Sequence, residues 1–263
     1  MNTDGIDPDC CRNVVISDCI VQTGDDGIAV KTSSDVSCEN IVITNCLISS
    51  RETAFKLGTE SFGNIRNVSI SNSIIHGSRF GCALYLKDGG NFENVQVSNC
   101  TIESDAEYAI VIDNTPRYYD TSPKGAIRNV SFTNLQIHAR GRCYVEGLHD
   151  FPIENLSFRD IQWNICGAIE LEKAEKPWGS MCCRLNPDSA QLARQPFRFI
   201  AAYTRGLQCS DIRFISDGTD GHLKSPQLYL YGSCNATIKN ILVDDRKDGY
   251  VKSVQCSNIC IDG

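Results

Sequence analysis

Four stretches lie under one another without a gap: RNVVISDCIV (12–21), ENIVITNCLI (39–48), RNVSISNSII (66–75) and ENVQVSNCTI (93–102). Their first residues, Arg12, Glu39, Arg66 and Glu93, are evenly spaced (39 − 12 = 66 − 39 = 93 − 66 = 27). Looser copies follow from Arg128, Glu154 and Lys239, and a last one, CSNICIDG, closes the chain. Each copy alternates apolar and polar residues, which predicts a strand with one buried face. A second short strand is predicted between copies: GIAVK (27–31), AFKLG (54–58), ALYLK (83–87), AIVID (109–113), AIELE (168–172) and QLYLY (227–231). Several short strands in a period of about 27 residues do not suit a helical repeat. They predict an all-β parallel β-helix, a solenoid with one period per turn.

The columns of the alignment say what each position does. Val14, Ile41, Val68 and Val95, with Ile16, Ile43, Ile70 and Val97, are the expected core. Asn13, Asn40, Asn67 and Asn94 form one polar column, and Asp18, Asn45, Asn72 and Asn99 a second. Asn tolerates the left-handed backbone of a tight corner, and its amide can bond the copies above and below. Cys19, Cys46, Ser73 and Cys100 form a third column, which reads as structural.

Composition narrows the field. The 25 basic and 32 acidic residues leave a net charge of −7, which disfavours a nucleic-acid binder. No apolar run reaches about 18 residues, so no membrane span is expected. The 15 cysteines show no zinc-type spacing and read as buried reduced thiols, so neither a metal nor a cofactor is expected. The opening, MNTDGIDPDC, is not a secretory leader. A single domain over 1–263 is expected, with a long loop at 173–198 that walls a groove or forms an oligomer contact. The chain opens inside a turn. That predicts either a homo-oligomer through the uncapped N-terminal end or a portion of a longer protein. Location follows the same fork: cytoplasmic if the start is natural, secreted or periplasmic if upstream turns are missing.

The densest acidic cluster is NTDGIDPD (2–9) with GDDGIAVK (24–31). Asp4 lies about one turn before Asp25, so Asp4, Asp25 and Asp26 are expected to converge on one outer face. Carboxylates that close cannot all ionise freely, so one should titrate high. Such a set suits the acid and base work of glycoside cleavage. The same letters are also ordinary turn signals, and the DGIDPD run could offer oxygens to calcium but lacks EF-hand spacing.

NTDGID followed by GDDxIAxK resembles the polygalacturonase family, family 28 of the glycoside hydrolases, strongly over about 1–35 and reasonably to about 90. The resemblance implies a right-handed parallel β-helix and inverting hydrolysis of a pectic polysaccharide by three aspartates. Asp25 would be the general acid, Asp4 and Asp26 would hold and activate the water, and Asn2 would orient a neighbour or the sugar. The family's GHGISIGS reads ETAFKLGT here, with Thr53 at the His and Gly58 kept. Its RIK strand reads YLK, with Tyr85 at the Arg and Lys87 kept. Strand alternation sends Lys31, Lys56, Tyr85 and Lys87 to one outer face, where Lys56 could replace the lost charge and Tyr85 could stack on a sugar. Glu52 and Glu60 are spare carboxylates nearby, and His76 a candidate to replace the lost His. Two alternatives stand beside the hydrolase: a β-helix that only binds glycan, and a polysaccharide lyase or epimerase on the same fold.

Overall fold

The computed structural model describes residues 3–105, 108–118, 121–167, 189–218, 227–244 and 250–262. These residues are nearly all β, in two parallel sheets of 13 and eight strands. The copies of the repeat make the larger sheet. Arg12–Ser17 pairs with Cys38–Thr44, that with Ile65–Ser71, then Phe92–Ser104, Ile127–Ala139 and Ile153–Ile165. The intervening runs make the smaller sheet: Ile28–Thr32, Thr53–Ser61, Phe80–Tyr85, Tyr108–Asp113, Arg142–Glu146, Phe199–Ala202, Leu228–Tyr231 and Val251–Val254. Register is in phase with the repeat, Arg12 facing Glu39 and Val14 facing Ile41. Arg142–Glu146 and Phe199–Ala202 are strands that the sequence pattern did not single out. The AIELE run and residues 173–188 of the expected loop lie outside the described residues.

The core fills the space between the sheets. Ile41, Val68 and Val95 are buried in one column and Ile43, Ile70 and Val97 in the next, joined by Ile28, Phe55, Leu84 and Ile112 from the smaller sheet. Aromatic pairs continue it, Phe132 stacking on Phe158 at 4.9 Å between ring centres.

The Asn columns hold the corners. Asn13, Asn40, Asn67, Asn94, Asn129 and Asn155 all take positive φ of 53–60°, the left-handed region that Asn tolerates. Each from Asn40 onward donates its Nδ2–H to Oδ1 of the Asn one turn earlier, at 2.9–3.1 Å. Gly206 takes the next place, because Arg205 pairs with Glu154, and the column resumes where Asn258 donates to Asn235. The second column runs through Asn134, which donates to Asn99 at 2.8 Å, and then meets Asp160 and Asp211, whose carboxylates only accept. The thiols of Cys19, Cys46 and Cys100 each bond the carbonyl two residues back, as the Ser73 hydroxyl does. Every described cysteine is a free thiol. Burial pushes the thiols of Cys82, Cys143 and Cys209 up, and that of Cys38 to about 11, so these groups stay protonated.

One expectation is corrected. The outer face of the smaller sheet is not simply solvent. A second apolar layer covers it, built from Ala83, Tyr85, Tyr108, Val111, Tyr144 and Ile200. The end of the long loop seals that layer, through a short helix (Ser189–Ala193) that supplies Leu192 and Ala193, followed by Phe197. Tyr85 is 1% exposed and Lys87 1%. Alternation does send both side chains away from the inner core, but into this layer rather than onto a substrate face.

Candidate active site

The site sits where the first described segment lies against the strand that begins at Ile28. Gly5 N–H donates to Asp26 O at 2.9 Å, Ile6 N–H to Gly27 O at 3.0 Å, and Asp25 N–H to Thr3 O at 3.1 Å. Isolated bridges Ile6–Ile28 and Asp9–Lys31 extend the pairing. The two Asp-Gly steps stack. A methyl at Gly5 would stand 2.5 Å from Gly27 O, and one at Gly27 would stand 2.5 Å from Ala54 O, so only glycine lets the turns close here. That closure brings the side chains of Asp4, Asp25 and Asp26 together, with one carboxylate oxygen of each within 4.8 Å of the others.

The three carboxylates have different surroundings. Asp4 accepts from Lys31 Nζ at 2.5 Å and from the Asp26 backbone N–H at 3.3 Å. Burial pushes its carboxyl up, but the Lys31 ammonium, Asp7 and that N–H together hold it below the usual range. Asp26 is buried. Its Oδ2 accepts from Lys56 Nζ at 2.5 Å, and its Oδ1 from the Thr53 N–H at 3.3 Å. Asp25 is half-buried, and among the described residues its carboxylate accepts no hydrogen bond. Burial and the negative charges of Asp26 and Asp4 push it above the usual carboxylate range, against the pull of Lys56. Its backbone carbonyl is fixed instead, by the Thr23 and Ser50 hydroxyls. An oxygen cluster of this size could also receive a divalent cation; Lys31 and Lys56 already bring positive charge to two of its members.

The other expected residues fall as follows. Lys31 also holds Asp7 at 2.8 Å, a partner that the sequence reading missed although it lies in the same DGIDPD run. Burial and Asp4 push the Asp7 carboxyl up, although Lys31 pulls against them. Lys87 Nζ is committed to Asp113 Oδ2 at 2.7 Å and to Thr115 at 2.9 and 3.1 Å, and lies 5.7 Å from the Tyr85 ring centre. Asp113 is itself 0% exposed. Tyr85 and Lys87 are therefore corrected from substrate-binding to interior residues. Glu52 pairs with Arg79 at 2.9 Å, and Glu60 lies 3.7 Å from Arg117, whose main partner is Asp88. His76 belongs to Ile74–Ser78 of the larger sheet. Asn2 lies outside the described residues. The signal for Asp113 and Glu146 was present in AIVID and RCYVE, each ending an apolar strand on a carboxylate in register with the next, but without a visible second layer it reads as a solvated strand end.

Three aspartates thus converge at one corner of a stack of parallel β-strands. The model of glycosyl hydrolases family 28 matches residues 1–181, and the chain belongs to that family. A hyperthermoactive exopolygalacturonase from Thermotoga maritima is similar in structure, with a TM-score of 0.56 at 25% identity, over 62% of this chain and 39% of that one. This chain thus spans about two fifths of the length of that enzyme. A DFA-IIIase from Arthrobacter chlorophenolicus A6, determined without its lid, matches at a TM-score of 0.33 and 13% identity, over 86% of this chain and 57% of that one. No curated protein matches the chain.

Proposed function

We propose that the protein is a glycoside hydrolase that cleaves an O-glycosidic bond in a pectic or related polysaccharide, on a single right-handed parallel β-helix of about 27 residues per turn. Asp25 is the general acid. It protonates the glycosidic oxygen as the bond to the anomeric carbon breaks. Asp4 and Asp26 position the attacking water and take its proton, and Lys31 and Lys56 hold these two carboxylates in place while lining the glycan's path. The observation that carries this reading is the division within the triad: two carboxylates seated on lysines, and between them one half-buried carboxyl, titrating high, with no hydrogen bond among the described residues. Membership of family 28 and likeness to an exopolygalacturonase support it.

Stereochemistry follows the family resemblance, by inversion. The carboxylate oxygens approach within 4.8 Å, closer than the roughly 6.5–9.5 Å between carboxyl groups in two-carboxylate inverting sites. In this reading the water is cradled beside the Asp4–Asp26 pair rather than spanning the sugar from a single distant base. Asp25→Asn tests the assignment. Release of reducing ends should fall by about 10²–10⁴-fold, the range of a lost general acid, with an unchanged far-ultraviolet circular dichroism spectrum. Undiminished turnover in that variant would sink the proposal.

A further inference from the structure

We propose that the sugar bound at this site is a neutral residue, not a uronate; the inference rests on the hydrolase reading above and specifies its substrate. The two lysines at the triad are already paired with protein carboxylates. A uronate brings a carboxylate that needs an uncommitted cation at close range. Lys31 is shared between Asp4 and Asp7, at 2.5 and 2.8 Å. Lys56 is seated on Asp26 at 2.5 Å. Lys87 is buried on Asp113 and Thr115, and Arg117 holds Asp88 at 2.7 Å. Arg79 holds Glu52.

The field at the reacting group is correspondingly negative. Asp26, Asp4 and Glu52 push the Asp25 carboxyl up, and Lys56 pulls against them. Asp7 adds a further carboxylate behind Lys31. A uronate entering here would meet like charge at Asp4, Asp26, Asp7 and Glu52, and to pair with Lys31 or Lys56 it would have to displace a protein carboxylate. A neutral sugar would meet hydroxyl-binding carboxylates and ammonium groups without that cost. One nearby cation is uncommitted among the described residues. Arg51, whose backbone N–H reaches Thr23 O at 3.3 Å, carries an exposed side chain at the corner just before Glu52. The inference requires that Arg51 not serve the glycan, and the experiment includes it for that reason.

The test uses the whole protein on a matched pair: polygalacturonan, and the same polymer with its carboxyl groups reduced to primary alcohols, alongside neutral arabinan, galactan and xylan. Reducing-end release is followed at low and high salt. The expected result is a kcat/KM at least tenfold higher on a neutral polymer than on polygalacturonan. Going from about 0.01 M to about 1 M salt shortens the Debye length from roughly 30 to 3 Å and should narrow that gap. Glu52→Gln, which frees Arg79, should raise the relative rate on polygalacturonan by about threefold. A preference for polygalacturonan would overturn the inference and leave the hydrolase reading standing; loss of that preference in Arg51→Gln would identify the cation responsible. Silence on every polymer would overturn the hydrolase reading itself, and this inference with it.

Discussion

Replacing Lys87 by Met separates an interior role from a substrate-binding one. The side chains of Lys87 and Asp113 are 1% and 0% exposed, and the ammonium makes three contacts, at 2.7, 2.9 and 3.1 Å. Met fills much the same volume but removes the cation. Oδ1 of Asp113 keeps the Thr115 N–H and hydroxyl at 2.8 and 2.6 Å, while Oδ2 loses its lysine. Glu146, also buried, stands in register one strand away and adds like charge. Breaking one side of a buried ion pair costs about 3–5 kcal/mol. With a urea dependence of about 3 kcal/mol/M, the unfolding midpoint should drop by roughly 1–1.7 M. Adding Asp113→Asn to Lys87→Met should recover much of the loss, because the carboxylate that lost its lysine is then a neutral amide. Equilibrium urea unfolding of the wild type and both variants is the assay. A midpoint within about 0.3 M of wild type, together with a raised KM, would refute the burial argument and return Lys87 to the glycan.

Other outcomes follow from the same geometry. The rate profile should be a bell: Asp4, held low, loses its base form only below the usual carboxylate range, and Asp25, held high, keeps its acid form above that range, so both limbs of kcat/KM should bracket a broader acidic plateau than two unperturbed carboxyls would give. Lys56→Met should lower kcat by about 10–100-fold with a smaller change in KM, since it releases Asp26 without removing a carboxylate; initial rates over a substrate series would show the split. Asn67→Ala should cost about 1–2 kcal/mol through its left-handed φ of 56° and two amide bonds, and Asn67→Gly less, by thermal or urea unfolding.

The sequence made the larger sheet legible because its signal is redundant: the 27-residue offset, the Val and Ile columns and the Asn corners all point to one register. The convergence of Asp4, Asp25 and Asp26 was legible for the same reason, since register carries residues one turn apart to one place. What alternation could not supply was the medium on the far side of a strand. ALYLK and AIVID look half-solvated by pattern, yet Tyr85 and Asp113 lie beneath a second layer brought in by a distant segment around Leu192–Phe197. Ion pairs such as Lys56–Asp26, 30 residues apart, depend on which rotamers meet between turns, and a periodicity does not encode that.

The Asn ladder also divides the molecule in a way that the sheets alone do not. In a stack where each turn touches only its neighbours, cooperativity is the sum of adjacent couplings. From Asn13 to Asn155 every step in the first column carries an amide rung. At the next step that column holds Gly206 and the second column sets Asp160 against Asp211, so neither column hands an amide across, and the side-chain hydrogen bond at that corner is the Arg205–Glu154 ion pair at 3.0 Å. Backbone pairing, that ion pair and core contacts such as Trp163 against Phe214 join the turns at that seam, without an amide rung. The turns bearing the aspartates thus form one zippered block and the later turns another. Fraying that starts at the far end should stall at the seam, sparing the chemistry.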